Sequence, residues 1–86
     1  MAIDHAVDGI RVNCVAPGPI STSLLEAIIA SSENPEHERQ SILANTILKR
    51  FGRPEEVANV IVFVASDEAT YMTGSIITVD GGWTAQ

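Results

Sequence analysis

Ile10-Arg11-Val12-Asn13-Cys14-Val15, running into Ala16-Pro17-Gly18-Pro19, is the stretch that decides the fold. Apolar and polar residues alternate and β-branched side chains are prominent, which predicts a strand over residues 10–15; two prolines and a glycine then stop regular structure. Upstream, Met1 to Val7 followed by Asp8-Gly9 reads as the last turns of a helix, ended by the residue that most cheaply turns left-handed. Downstream, Phe51-Gly52-Arg53-Pro54-Glu55-Glu56 is a helix start, with proline where no hydrogen bond is lost and two carboxylates where the helix dipole favours them. The helix it opens, over residues 54–66, carries Val57, Val60, Ile61 and Val64 on one stripe, widened by Ala58, Val62 and Ala65, so it expects cover on more than one side. Ser75-Ile76-Ile77-Thr78-Val79, closed by Asp80-Gly81-Gly82, predicts a final strand over residues 75–79. Strand, insert, helix and strand make one βαβ unit in an α/β fold, and strands so connected run parallel.

Between the first strand and the helix lies an insert. Ser21-Thr22-Ser23 offers capping hydroxyls to a short helix over Leu24 to Ile29, Ser31-Ser32-Glu33-Asn34-Pro35 breaks it, and a second amphipathic helix fits Glu36 to Leu43. The polar composition from Ser31 to Gln40 gives this insert a mobile character.

Composition narrows the function. Across 86 residues, 45% are hydrophobic and 19% charged, which excludes a disordered chain, and the net charge of −6 has the wrong sign for a nucleic-acid partner. A single domain of this size buries only about 60% of its unfolded surface, so its stability would be thin. Cys14 is the only cysteine, and no His/Cys cluster has metal spacing, so neither a disulfide scaffold nor a metal site is expected; a reducing cytoplasm fits best. The apolar run Val60 to Ala65 is too short to span a bilayer, and no membrane partner is expected.

Taken in order, Ile10-Arg11-Val12-Asn13 running into Pro17-Gly18-Pro19-Ile20-Ser21-Thr22, then Gly52-Arg53-Pro54-Glu55-Glu56-Val57-Ala58, Phe63-Val64-Ala65-Ser66-Asp67, Thr73-Gly74 and Val79-Asp80-Gly81-Gly82 resemble the short-chain dehydrogenase/reductases. That family consists of NAD(P)-dependent oxidoreductases on a single Rossmann domain, and the resemblance covers its C-terminal third. It implies that residues 1–86 are the C-terminal βαβ portion of a Rossmann-type doubly wound parallel sheet, with residues 22–50 as a substrate lid. It also implies that Met1 falls inside the helix carrying the family's Tyr-x-x-x-Lys motif, beyond its lysine.

The family's chemistry is incomplete in this chain. Its glycines are Gly9, Gly18, Gly52, Gly74, Gly81 and Gly82, so the glycine-rich pyrophosphate turn is missing. The single tyrosine, Tyr71, has Ser75 four residues on, and the single lysine is Lys49, so no catalytic residue is assigned. The cofactor implied is NAD or NADP, bound weakly or not at all by this chain alone.

The candidate site is the loop Pro17 to Thr22, which leaves the carboxyl end of a strand, where open α/β sheets place ligands. By resemblance, Pro17, Gly18, Pro19, Ile20 and Thr22 form the nicotinamide side of the cofactor site, Ile20 meeting the carboxamide with its main chain and Thr22 with its hydroxyl. The plainer reading is that Pro-Gly-Pro only turns the chain and Thr22 only caps a helix. Leu24, Leu25, Ile28 and Ile29 could line an apolar pocket or rest on a core, and the substrate class implied is a small alcohol or ketone. His5 and His37 read as solvated side chains, and Cys14 as a small buried hydrophobe. Arg53 pairs with Glu56 on the helix's first turn, and Trp83 anchors the tail locally or across an interface. The resemblance further implies a homo-oligomer, dimer or tetramer, through residues 54–66 and 76–79. A different function class stays open: a non-catalytic chain acting as an association module through its unpaired strand edge.

Overall fold

Helix α1 (Ala2–Ala6) ends in a turn built on Gly9, whose φ of +75° is left-handed. Gly9 N–H donates to Ala6 O (3.1 Å) and Ile10 N–H to His5 O (3.2 Å), the paired bonds of a glycine-terminated helix. The computed structural model describes residues 1–85; Gln86, the last residue of the expected 1–86 segment, lies outside them.

Strand β1 (Cys14–Pro17) pairs in parallel with β2 (Ile76–Val79), in the register Cys14 to Ile76 through Pro17 to Val79. The parallel α/β arrangement read from the sequence is therefore present, but its first strand is displaced. Residues 10–13 are not strand, because side chains replace the ladder partners: Val12 N–H donates to the Thr73 hydroxyl (3.1 Å), and Asn13 Oδ1 accepts from Ser75 N–H (3.1 Å). At the other end the strand runs through Pro17. Cys14 N–H and Gly18 N–H both donate towards β2, so the alternation of an extended chain turns the nitrogens of Val15 and Pro17 to the opposite edge. Pro17 therefore costs this sheet no hydrogen bond. The second strand begins at Ile76, one residue later than expected.

Three further helices follow: α2 (Ser23–Ala30), α3 (Pro35–Leu43) and α4 (Pro54–Ala65), with single 3₁₀ turns at Asp67–Ala69 and Trp83–Ala85. Each start has a local cause. Thr22 Oγ1 accepts from Leu25 N–H (3.2 Å) to cap α2, and Asn34 Oδ1 accepts from His37 N–H (3.2 Å) to cap α3, with Pro35 in its first turn. Asn34-Pro35 thus begins α3, while α2 has already ended at Ala30 with Ser31 as its C-cap. Glu56, in the first turn of α4, reaches back to Arg53 N–H (2.8 Å).

Helix α4 packs on β1, with Val64 buried and Val57 and Val60 half-buried, so the predicted stripe faces the sheet. Ile61 belongs to that stripe by sequence but is 50% exposed, and Val62 and Phe63 are exposed as well. Arg11 secures the end of α4, donating to the carbonyls of Val64 (3.0 Å), Met72 (3.0 Å) and Ser66 (3.2 Å). A cation at a helix C-terminus also meets the negative end of the dipole. Helices α2 and α3 pack on each other, and Ile29 of α2 is fully enclosed. At the end of α3, Lys49 Nζ donates to Ala44 O (2.7 Å), while Lys49 itself takes φ +55°.

The described residues enclose little apolar material. Only Ile29, Val64 and Ala69 are buried hydrophobics, and Thr46 is the one buried polar residue. The surface of 6095 Å² exceeds the roughly 4,900 Å² of a compact monomer of this mass. The radius of gyration of 16.2 Å likewise exceeds the about 12 Å of a compact chain this long. Cys14, expected to be buried, is exposed, because nothing among the described residues covers that end of β1.

Candidate functional site

Loop residues 18–22 leave the carboxyl end of β1 and meet two other segments. One is the turn after β2. Gly18 N–H donates to Val79 O (3.0 Å), and a Cβ on Gly18 would lie 2.8 Å from Asp80 Cα, so only glycine lets the strand ends approach so closely. The other is the strap 50–53 leading into α4. Gly52 N–H donates to Pro19 O (2.9 Å) and Gly52 O accepts from Ser21 N–H (2.8 Å), a parallel bridge in which Ile20 stands opposite Gly52. The bridge uses both main-chain groups of Gly52 and neither of Ile20's, so Ile20 N–H and C=O face away from the strap.

The five expected cofactor-loop residues are thus contiguous, but their polar groups are not equally free. Pro17 and Pro19 have no N–H, and the Gly18 amide is committed to Val79 O. Ile20 offers its main chain. Thr22 is exposed and caps α2 through an oxygen lone pair, which leaves its hydroxyl proton for another acceptor. Capping and ligand binding are compatible at this residue.

A cleft of about 300 Å³ opens against Pro17, Gly18 and Pro19 on one side and Thr78, Trp83 and Thr84 on the other. A narrower one of about 90 Å³ lies between Ile20, Leu48, Arg50 and Glu56. Trp83 is 39% exposed and lines the wider cleft.

Asp80 organises the turn that supports the loop. Its Oδ1 accepts from Gly82 N–H (3.0 Å), and its Oδ2 accepts from Thr84 N–H (3.1 Å) and Oγ1 (2.8 Å). The Thr84 hydroxyl, foremost among these donors, holds the carboxyl below its usual range. Gly81, at φ +61°, sends its carbonyl to the amides of Ile47 (2.8 Å) and Leu48 (3.0 Å), tying the end of the insert to the same turn.

Two charge pairs brace the other side. Glu26 on α2 accepts from Arg39 on α3 (3.3 Å) and from the Ser21 hydroxyl (3.0 Å), in that order the main causes of its lowered pKa. The Arg39 guanidinium also lies 5.5 Å from the Phe51 ring centre. Glu56 was expected to pair with Arg53; that contact is 3.9 Å, and the main partner is Arg50, with bonds of 2.9 and 3.0 Å to the two carboxylate oxygens. Arg50, together with the Arg53 amide, holds the Glu56 carboxyl down to about 2. No helical spacing joins residues 50 and 56, since Arg50 precedes the helix, so the sequence carried no signal for this pair. Gly52's double grip on the loop was likewise invisible.

A parallel strand pair with a helix packed across it and a proline-glycine loop at the strands' carboxyl ends is an α/β segment of the Rossmann type. A family model described as enoyl-(acyl carrier protein) reductase matches residues 1–84, and the chain belongs to the short-chain dehydrogenase/reductase family. It is 46% identical over 85 residues to an uncharacterized oxidoreductase of Thermotoga maritima, covering 99% of this chain and 34% of that protein. Among solved structures it superposes on 4-hydroxyisoleucine dehydrogenase complexed with NADH at a TM-score of 0.88, with 35% identity over 100% of this chain and 34% of that one. An Agrobacterium tumefaciens protein solved with bound NADP gives 0.87, with 39% identity over 99% of this chain and 33% of the other. The chain spans about one third of the length of the curated relatives it matches. No helix among the described residues is long and apolar enough to cross a membrane.

Proposed function

We propose that, within a polypeptide of the relatives' full length, these residues form the nicotinamide-side loop, the substrate lid and a subunit-contact surface of an NAD(P)-dependent alcohol dehydrogenase or ketone reductase. The observation that carries this reading is the loop itself: Ile20 with its main-chain groups turned away from the Gly52 bridge, and Thr22 with a hydroxyl proton left over from its cap. A carboxamide carries both a donor and an acceptor, so the two residues together match it. When bound, the nicotinamide would exchange a hydride at C4 with a carbon of the alcohol or ketone. The residues here would orient its ring edge, with α2 and α3 closing over substrate through the exposed Leu24 and Ile28. Proton transfer would belong to the family's Tyr-x-x-x-Lys pair, which this chain lacks, so residues 1–86 alone would be inactive.

Assay of the full-length polypeptide for NADH and NADPH oxidation against a panel of small ketones tests the reading. Turnover with one member supports it, and none across the panel refutes it. Titration of the isolated 86 residues with either dinucleotide should show weak binding or none, since the pyrophosphate turn is missing.

The exposed apolar side chains Ile61, Val62, Phe63 and Ile76 on α4 and β2 favour subunit contact as a second role of the same chain. Val62→Lys should lower the mass measured by light scattering for the full-length protein. An unchanged mass counts against a contact through α4. A non-catalytic association module would instead show self-association with no dinucleotide response.

A further inference from the structure

Glu56 gathers the strap that grips the cofactor loop. Its carboxylate receives two bonds from Arg50 and one from the Arg53 amide, the residues on either side of Gly52 in the strap. Gly52 has both main-chain groups on the loop, through Pro19 O and Ser21 N–H. Besides these bonds, Arg50 donates to Phe51 O (3.1 Å) within the strap and the Arg39 guanidinium lies 5.5 Å from the Phe51 ring centre; the Arg50 side chain is 49% exposed and that of Glu56 30%. A Cβ on Gly52 would stand 2.7 Å from Ile20 Cδ1, so the end of the Ile20 side chain rests against the strap at Gly52.

We propose that Glu56, acting through Arg50, is a positioning residue: it pins the strap to the first turn of α4 and thereby sets where Ile20 presents its main chain to the dinucleotide. The proposal rests on the function reading above and assigns that loop a control point outside it. The bidentate geometry matters here. Two parallel bonds fix an orientation as well as a distance, which a lysine at position 50 could not do. An exposed ion pair adds little to global stability, so its loss is felt in local placement more than in unfolding.

The test uses the full-length polypeptide with Glu56→Gln, Arg50→Met and the double substitution. Glu56→Gln keeps an acceptor for the Arg53 amide but loses the charge; Arg50→Met leaves the cap intact. Amide hydrogen exchange at Gly52 and Ser21 should quicken about tenfold in each variant, the equivalent of ~1.4 kcal/mol in local opening, while α4 residues 60–65 keep their protection. The kcat/KM for NAD(P)H should fall about tenfold, with the double variant no worse than the weaker single one, since both remove the same contact. Unchanged exchange at Gly52 and Ser21 overturns the proposal whatever the activity does. Faster exchange with unaltered kcat/KM overturns it as well, since the strap would then not govern the cofactor. Absence of NADH and NADPH binding by the unsubstituted protein instead overturns the function reading on which it rests.

Discussion

Gly18 and Asp80 meet where the two strands end: a Cβ placed on Gly18 would lie 2.8 Å from both the Cα and the Cβ of Asp80. Backbone cannot yield as a flexible side chain can, so this contact sets the separation of the loop Pro17 to Thr22 from the Asp80-Gly81-Gly82 turn. Gly18→Ala should cost about 1–3 kcal/mol of stability through forced displacement. Equilibrium denaturation of the full-length protein measures it, and a change within error would show that the strand ends part freely.

Thr22 caps α2, and the proposed function gives it a second role at the carboxamide; substitution can separate the two. Thr22→Asp keeps a side-chain acceptor for Leu25 N–H, so α2 and the overall stability should hold. It removes the hydroxyl proton, and NAD(P)H affinity should drop. Thr22→Ala loses the cap too, at about 1 kcal/mol. If Thr22→Asp binds the dinucleotide as well as the parent does, Thr22 is only a cap.

Arg11 was part of the pattern by which the family resemblance was read, and its role is structural. One guanidinium serves three carbonyls, on Val64, Ser66 and Met72, joining the approach to β1, the end of α4 and the approach to β2. Arg11→Met should destabilise by about 1.5–3 kcal/mol, the range for hydrogen bonds to a charged donor. Lysine should not rescue it, because one ammonium cannot reproduce the fork. Full rescue by lysine in thermal unfolding would show that charge alone suffices.

Acid should loosen the strap before neutral or alkaline pH does. The carboxyls of Glu56, Glu26 and Asp80 are all lowered, so each favours the folded state above its unfolded pKa and loses that effect as pH falls through its folded value. For Glu56 the window runs from 4.5 down to about 2. Stability measured across that window should decline, and Glu56→Gln should flatten the slope. An identical slope in the variant would mean that the pair contributes nothing to folding.

The local punctuation of the chain was legible in the sequence because each signal is a short-range physical requirement. Gly9 ends α1, Thr22 opens α2, Pro54 and the first-turn carboxylates open α4, and the β-branched run at Ile76 makes a strand; in each case the cause lies within a few residues. The parallel α/β class followed from the order of those elements. What the chain meets after it returns was not legible. The first strand lies at Cys14–Pro17 rather than residues 10–15 because Thr73 and Asn13 side chains substitute for the ladder, Cys14 is exposed rather than buried, and Glu56 keeps Arg53 at 3.9 Å but gains Arg50 as its closer partner.

The sequence by itself determined the elements, their order and the loop Pro17 to Thr22 as the place to look, since propensity, capping and turn chemistry act between near neighbours. Only the tertiary structure decided which groups in that loop are free: Gly18's amide is consumed by Val79, and Gly52 bonds both flanks of Ile20 while sparing Ile20's own main chain. Hydrogen-bond commitments across 31 to 61 residues of chain leave no periodicity to read, because they are set by where parallel strands and a folded-back strap come to rest.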